Sequence, residues 1–250
     1  MFIGRKTELA FLNARYEEKR GQLIVLYGRR RVGKTETLRE FCKGKPHVFF
    51  SCTQTTDAMQ LARFSTQLLK EDIPARRYIT QFPDWEKAFE TILDLPYGEQ
   101  KKLVVIDEFP YMCKGNPSIP SILQNLWDAQ LKDSNVMLIL CGSAMSFIEK
   151  ELLAEKNPLY GRATGIYRMR EMGFYDAMKF FPDYSDEDKV NENRTAFFEP
   201  HFKPDFNQDL LNSNNYITHF LMVSRELLDG FVEYTLLYDM IVNRIPISEV

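Results

Sequence analysis

Three histidines and four cysteines are all that this 250-residue chain offers to a soft metal or a disulfide framework. His47, His201 and His219 are scattered, and no pair among Cys42, Cys52, Cys113 and Cys141 has C-x-x-C spacing. That argues against a zinc site and for free, buried thiols in a reducing compartment. No uninterrupted apolar run approaches the roughly 20 residues that cross a bilayer; the longest candidate, 220–242, is broken by Arg225, Glu226, Asp229, Glu233 and Asp239. Met1 to Lys6 reads as neither the apolar core nor the cleavage site of a leader. Positive charge is not in excess either: the net charge is −3, so no global basic field attracts nucleic acid, although a local patch stays open. There is no internal repeat. What is present is 44% hydrophobic residues, ample for a sizeable core in one large domain or a medium domain plus a small one. The expectation is a cytoplasmic globular protein without a membrane partner.

The informative stretch is Gly28-Arg29-Arg30-Arg31-Val32-Gly33-Lys34-Thr35, a G-x-x-x-x-G-K-T phosphate-loop pattern. Leu23–Tyr27 before it reads as a buried strand, and Thr35–Phe41 after it as a helix with Leu38 and Phe41 on one face. Gly28 and Gly33 allow a tight turn and close approach to phosphate oxygens. The loop N–H groups form an anion nest to which the helix adds its positive dipole end. Lys34 would reach the β- and γ-phosphates and Thr35 would offer its hydroxyl to Mg²⁺. The side chains of Arg29, Arg30 and Arg31 raise the local potential but read as a solvated face.

The second informative stretch is Leu103-Val104-Val105-Ile106-Asp107-Glu108. Its four apolar residues suit a strand buried on both faces, with two carboxylates at the C-terminal end, where open α/β sheets bind ligands. Beside a phosphate loop, Asp107 would hold Mg²⁺ and Glu108 would take a proton from the attacking water. Further expected strands are His47–Cys52, Val136–Cys141 and Gly165–Arg170. Expected helices span Thr7–Arg20 (capped by Thr7), Asp57–Lys70 (with Met59 in its apolar surface), Asp84–Leu95, Ser118–Lys132, Met145–Leu153 and Phe174–Phe181. Ser143, just past a strand end, reads either as a turn serine or, by its resemblance to related ATPases, as a polar sensor of the γ-phosphate. Phe2-Ile3-Gly4-Arg5, with Glu8-Leu9, either resembles the short box that precedes the phosphate loop in many AAA-type ATPases and packs near the adenine there, or is an apolar anchor for the N-terminus.

Together, Phe2–Arg5, the loop Gly28–Thr35, Ile106-Asp107-Glu108-Phe109-Pro110-Tyr111, Cys141-Gly142-Ser143, Leu159-Tyr160-Gly161-Arg162, Phe174 and Phe180-Phe181-Pro182 resemble the archaeal/bacterial ATPase family, related to AAA-type and STAND ATPases. The resemblance covers residues 2 to 182. It implies ATP on 28–35, Mg²⁺ on Thr35 and Asp107, water activation by Glu108, and Arg162 helping to neutralise phosphate charge; a lone Arg162 can equally be a solvated turn residue. It also implies an α/β P-loop NTPase fold of the additional-strand class, with the Val136–Cys141 strand between the loop strand and the Glu108 strand. Direct adjacency of those two strands would instead favour a kinase or GTPase arrangement. Residues 1–183 are expected to form the ATPase domain. Residues 184–250 read as loop-rich, then helical over 216–243, and match neither a winged helix nor a nuclease.

The leading functional expectation is a Mg²⁺-dependent ATPase that works as a conformational switch, with a second copy or a partner protein as its contact. DNA enters by resemblance alone. The alternatives are a P-loop kinase of a small acceptor, against which Glu108 speaks, a GTPase, which lacks its guanine-reading segment here, and an ATP-binding scaffold that does not hydrolyse.

Overall fold

A computed structural model describes residues 2–180 and Pro182. The apolar runs become five parallel strands, β1 (Gln22–Tyr27), β2 (His47–Ser51), β3 (Lys102–Asp107), β4 (Val136–Gly142) and β5 (Gly165–Arg168), in the order β2-β3-β4-β1-β5. Parallel pairing requires a crossover between successive strands, and helices supply it on both faces. They are α1 (Lys6–Tyr16), α2 (Lys34–Cys42), α3 (Asp57–Leu68), α4 (Trp85–Glu90), α5 (Phe109–Gly115), α6 (Ile119–Ala129), α7 (Met145–Phe147) and α8 (Phe174–Ala177). Because β4 lies between β1 and β3, the expected additional-strand arrangement is the one found.

Every residue of β1 and β4 is buried, and alternate side chains enter two separate cores. Leu23, Val25 and Tyr27 join α3, α4, α5 and α6 on one face, while Ile24 and Leu26 join Leu12 of α1 and Leu38 and Phe41 of α2 on the other. A strand buried on both faces has no polar side to show, which is why these segments read as unbroken apolar runs.

Several helices depart from the periodicity expected of them. The first ends at Tyr16 rather than Arg20, and Thr7 lies inside it: the cap position is Arg5, whose carbonyl accepts from Leu9 N at 3.0 Å. In α3, Met59 is exposed (54%), whereas Gln60 and Ser65 are buried. Ser65 suits that place because its Oγ donates to Leu61 O at 2.7 Å and accepts from Phe82 N at 3.1 Å. The expected Asp84–Leu95 helix is α4 followed by a 3₁₀ turn, Thr91–Asp94. There Thr91 Oγ1 donates to Lys87 O at 2.8 Å, a side-chain bond that competes with the helical ladder. The last turn of the Ser118–Lys132 helix is likewise 3₁₀, and the Met145–Leu153 helix is α7 plus a π-helical turn, Ile148–Leu152. The α5 helix was not expected from sequence. Phe181 and the expectations for 183–250, including the domain boundary, lie outside the described residues. No helix among those described is long and apolar enough to cross a membrane.

Phe64 is the hub of the larger core, with ring centroids 5.1 Å from Phe50, 5.5 Å from Trp85 and 5.6 Å from Phe89. Phe64→Ala should lower the unfolding free energy by about 3–5 kcal/mol. Met59→Ala, in the same helix but solvent-facing, should stay within about 0.5 kcal/mol of wild type. Urea melts of the two variants check the contrast.

Candidate nucleotide site

The register of the sheet assembles the site. Tyr27, the last residue of β1, pairs with Gly142, and Ile106 pairs with Leu140, so the phosphate loop, the Asp107–Glu108 pair and Ser143 emerge at one edge. The approach is close: a Cβ on Gly28 would fall 2.2 Å from Met169 O, and Gly33 has φ +87°, the left-handed region where a side chain strains the backbone.

Within the loop Lys34 is buried, with Nζ donating to Gly28 O (3.0 Å) and Arg29 O (2.7 Å). Burial lowers its pKa from the usual lysine value, while the carboxylates of Glu108 and Asp107 pull the other way. Thr35 Oγ1 donates to Asp107 Oδ2 at 2.7 Å, which joins the loop helix to the end of β3. Arg29, Arg30 and Arg31 are exposed, in keeping with a solvated face, and Arg29 stands 4.0 Å from Glu171.

Glu108 has φ 52° and ψ 41°, a left-handed conformation that disfavours any side chain. Its carboxylate Oε2 accepts from Ser143 Oγ at 3.0 Å and from Ser143 N at 3.3 Å. The side chain expected to sense phosphate therefore holds the adjacent carboxylate in this structure.

Arg162 needs a correction. It is not brought to the loop within one chain. The segment that carries it returns to the start of β1, where Thr164 N donates to Leu23 O at 2.8 Å, at the end of the sheet away from the phosphate loop. There Asp128 accepts from Arg162 Nη2 at 2.6 Å and from Nε at 3.0 Å, and this contact holds the Asp128 carboxyl below its usual pKa.

Two contributors escaped the sequence reading. Cys141 is fully buried beside Asp107, and burial, followed by the Asp107 charge and a hydrogen bond with it, keeps the thiol neutral. A cysteine inside an apolar strand carries no sequence signal for such a contact. Arg5, one residue of the Phe2–Arg5 box, reaches the loop with its guanidinium at Val32 O. The signal available was Gly4-Arg5 itself, a glycine placed before a long cation.

Fold and site together define a P-loop NTPase of the additional-strand class. A family model described as an ATPase domain predominantly from Archaea matches residues 2–199, and the chain belongs to that family. An uncharacterized protein of Methanocaldococcus jannaschii is 32% identical over 182 residues, which cover 73% of this chain and 38% of that protein. A Walker-type ATPase of Pyrococcus abyssi has a similar structure, with a TM-score of 0.64 at 19% identity over 77% of this chain and 63% of that one. A signal-transduction ATPase with numerous domains and a tetratricopeptide-repeat sensor, from Pyrococcus horikoshii, has a TM-score of 0.50 at 16% identity over 91% of this chain and 33% of that one. The chain thus spans about two fifths of the Methanocaldococcus jannaschii relative's length.

All four cysteines are free and buried. Burial pushes Cys42 up to about 12 and raises the thiols of Cys52, Cys113 and Cys141 as well. Neutral, inaccessible thiols react slowly. At pH 8 a disulfide reagent should modify none of the four in the native protein and all of them in denaturant, read as released thiolate. The sign of the linkage follows: the Cys42 contribution to stability is complete below its unfolded value near 9.0 and is lost as pH rises through about 12.

Proposed function

We propose that this chain binds ATP with Mg²⁺ on the loop 28–35 and hydrolyses it, the hydrolysis cycle serving as a conformational switch. The observation that carries the proposal is the 2.7 Å contact between Thr35 and Asp107 beside the buried Lys34. It places two hard oxygen donors together at the mouth of an anion-binding loop, a donor set that fits Mg²⁺. Bound there, the ion would neutralise charge developing on the β- and γ-phosphate oxygens.

The protein groups divide the remaining work. The loop N–H groups from Gly28 to Thr35 cradle the phosphates, and Lys34 exchanges the carbonyls of Gly28 and Arg29 for phosphate oxygen. Glu108 accepts the proton of the attacking water. Ser143 holds that carboxylate while the site is open; a γ-phosphate oxygen competes for the same hydroxyl and frees Glu108 when ATP is in place. That exchange is the local event of the switch. Arg162 could reach a γ-phosphate only in a neighbouring copy, so basal turnover by isolated chains is expected to be slow. Support for the ATPase class comes from family membership and from the position of β4, which separates this sheet from the kinase and GTPase arrangement.

Lys34→Ala should abolish ATP binding. Wild type should be stabilised by about 2.7 kcal/mol at 100 times Kd of ATP with Mg²⁺; a melting curve unmoved by millimolar nucleotide would end the proposal. Glu108→Gln should still bind ATP but hydrolyse it about 10²- to 10⁴-fold more slowly in a single turnover. Equal rates for Glu108→Gln and wild type would leave Glu108 a strand-end carboxylate and favour transfer to another acceptor.

A further inference from the structure

The chain enters the fold through two successive left-handed residues, Gly4 (φ +70°) and Arg5 (φ +57°). The turn is tight: a Cβ on Gly4 would lie 3.0 Å from the Asp176 carboxyl group. Its result is a guanidinium with 5% of the side chain exposed, placed under the phosphate loop. Nη2 donates to Val32 O at 2.5 Å, and Nη1 donates to Arg170 O and to Glu8 Oε1, both at 2.8 Å. Glu8 stands one helical turn on and balances the charge. Arg5 is thus bonded both to the phosphate loop and to the segment that follows β5.

We propose that Arg5 is a positioning residue for the phosphate loop, holding it in its anion-binding shape before any nucleotide arrives; the proposal rests on the reading that this loop binds ATP. The reasoning starts from one peptide plane. In a trans peptide the C=O and the following N–H point in opposite directions. Fixing Val32 O against Arg5 on the outside of the loop therefore sends the Gly33 N–H to the inside. The plane needs fixing, because Arg31 (φ +66°) and Gly33 (φ +87°) on either side of Val32 are both left-handed, and glycine gives rotation there little resistance. The Val32 side chain is already pinned in the core, so the guanidinium controls the remaining freedom of that link. A loop that samples other planes binds more weakly by the fraction of time it is competent.

The second anchor adds reach. Met169 N donates to Tyr27 O, and Met169 O closes on Gly28. By holding Arg170 O as well, Arg5 joins this lining of the loop's entry to its middle at Val32. One planar cation with several donors in fixed directions can do this, whereas an ammonium at the end of a flexible stem cannot match both carbonyls and the carboxylate in the same geometry.

The test uses the full chain as wild type, Arg5→Lys and Arg5→Met. Calorimetry measures binding of ATP and of inorganic tripolyphosphate, each with Mg²⁺, and hydrogen exchange reads residues 28–35 without ligand. By analogy with residues that orient metal ligands, affinity for both probes should fall about 10- to 100-fold in both variants. Exchange in the loop should rise, and in turnover the loss should appear in KM with kcat little changed. Tripolyphosphate binding as tight as wild type overturns the proposal; if ATP alone is lost, Arg5 serves the base and not the loop. Global unfolding of both variants also overturns it, by making Arg5 a core residue. Should wild type bind neither probe, the ATPase reading fails separately, and exchange in Arg5→Lys decides alone: no rise in the loop ends the positioning role.

Discussion

A buried ammonium sets the terms for the rest of the site. Lys34 lies inside the phosphate loop with 6% of its surface exposed, and an isolated charge there would be too costly to keep. The loop answers by folding two of its own carbonyls, Gly28 O and Arg29 O, onto Nζ. Asp107 and Glu108 supply the opposing charge from the end of β3. The carbonyls are replaceable ligands. A phosphate in their place would offer full negative charge, so the contacts that hold the loop together are those a bound anion would have to replace. The glycines, the tight approach of Met169 and the strut from Arg5 follow from keeping those carbonyls and the opposing N–H groups in place around one cation.

The left-handed Glu108 is the second constraint, and it is linked to the first through β4. A non-glycine residue in that region costs of the order of 1–2 kcal/mol, so the surroundings have to maintain it. Here they do so with two hydrogen bonds from Ser143 and with Pro110 in the first turn of α5 packed close to Gly142. That packing explains why Gly142 has no side chain: a Cβ would meet Pro110 Cδ at 2.7 Å. Strand β4 therefore acts as more than a spacer. By lying between β1 and β3 it delivers Ser143 to Glu108, and its Cys141 thiol to Asp107. In an arrangement with β1 and β3 adjacent, neither contact would be made from this strand.

The contrast between Ser143 and Arg162 shows how a chemically sensible residue can be read in two ways until its neighbours are known. Both were candidates for phosphate contacts by resemblance to related ATPases. The sheet register takes Ser143 to the phosphate-loop end of the sheet and leaves Arg162 at the other end of β1, where Asp128 of α6 meets it. Ser143 directly follows β4 and so lies at the C-terminal end of the sheet, whereas Arg162 shortly precedes β5, which runs parallel to β1, and so lies at the N-terminal end.

Sequence by itself determined the parts whose physics is local. The loop 28–35 was legible because phosphate binding demands particular residues at particular spacing between a strand and a helix. The strands were legible because a sheet covered on both faces has to be apolar throughout, and the order of β1, β3 and β4 followed from the class that the motifs announced. Tertiary structure alone decided the rest. Met59 faces solvent while Gln60 and Ser65 are buried, because the phase of α3 is set by what lies beneath it and by Phe82 N, 17 residues from Ser65. The contact between Ser143 and Glu108, and the reach of Arg5 to Val32 and to Arg170, 165 residues away, are bonds between groups that no local pattern relates. They exist because assembling the sheet brings segments distant in sequence to one end of it, where their polar groups meet.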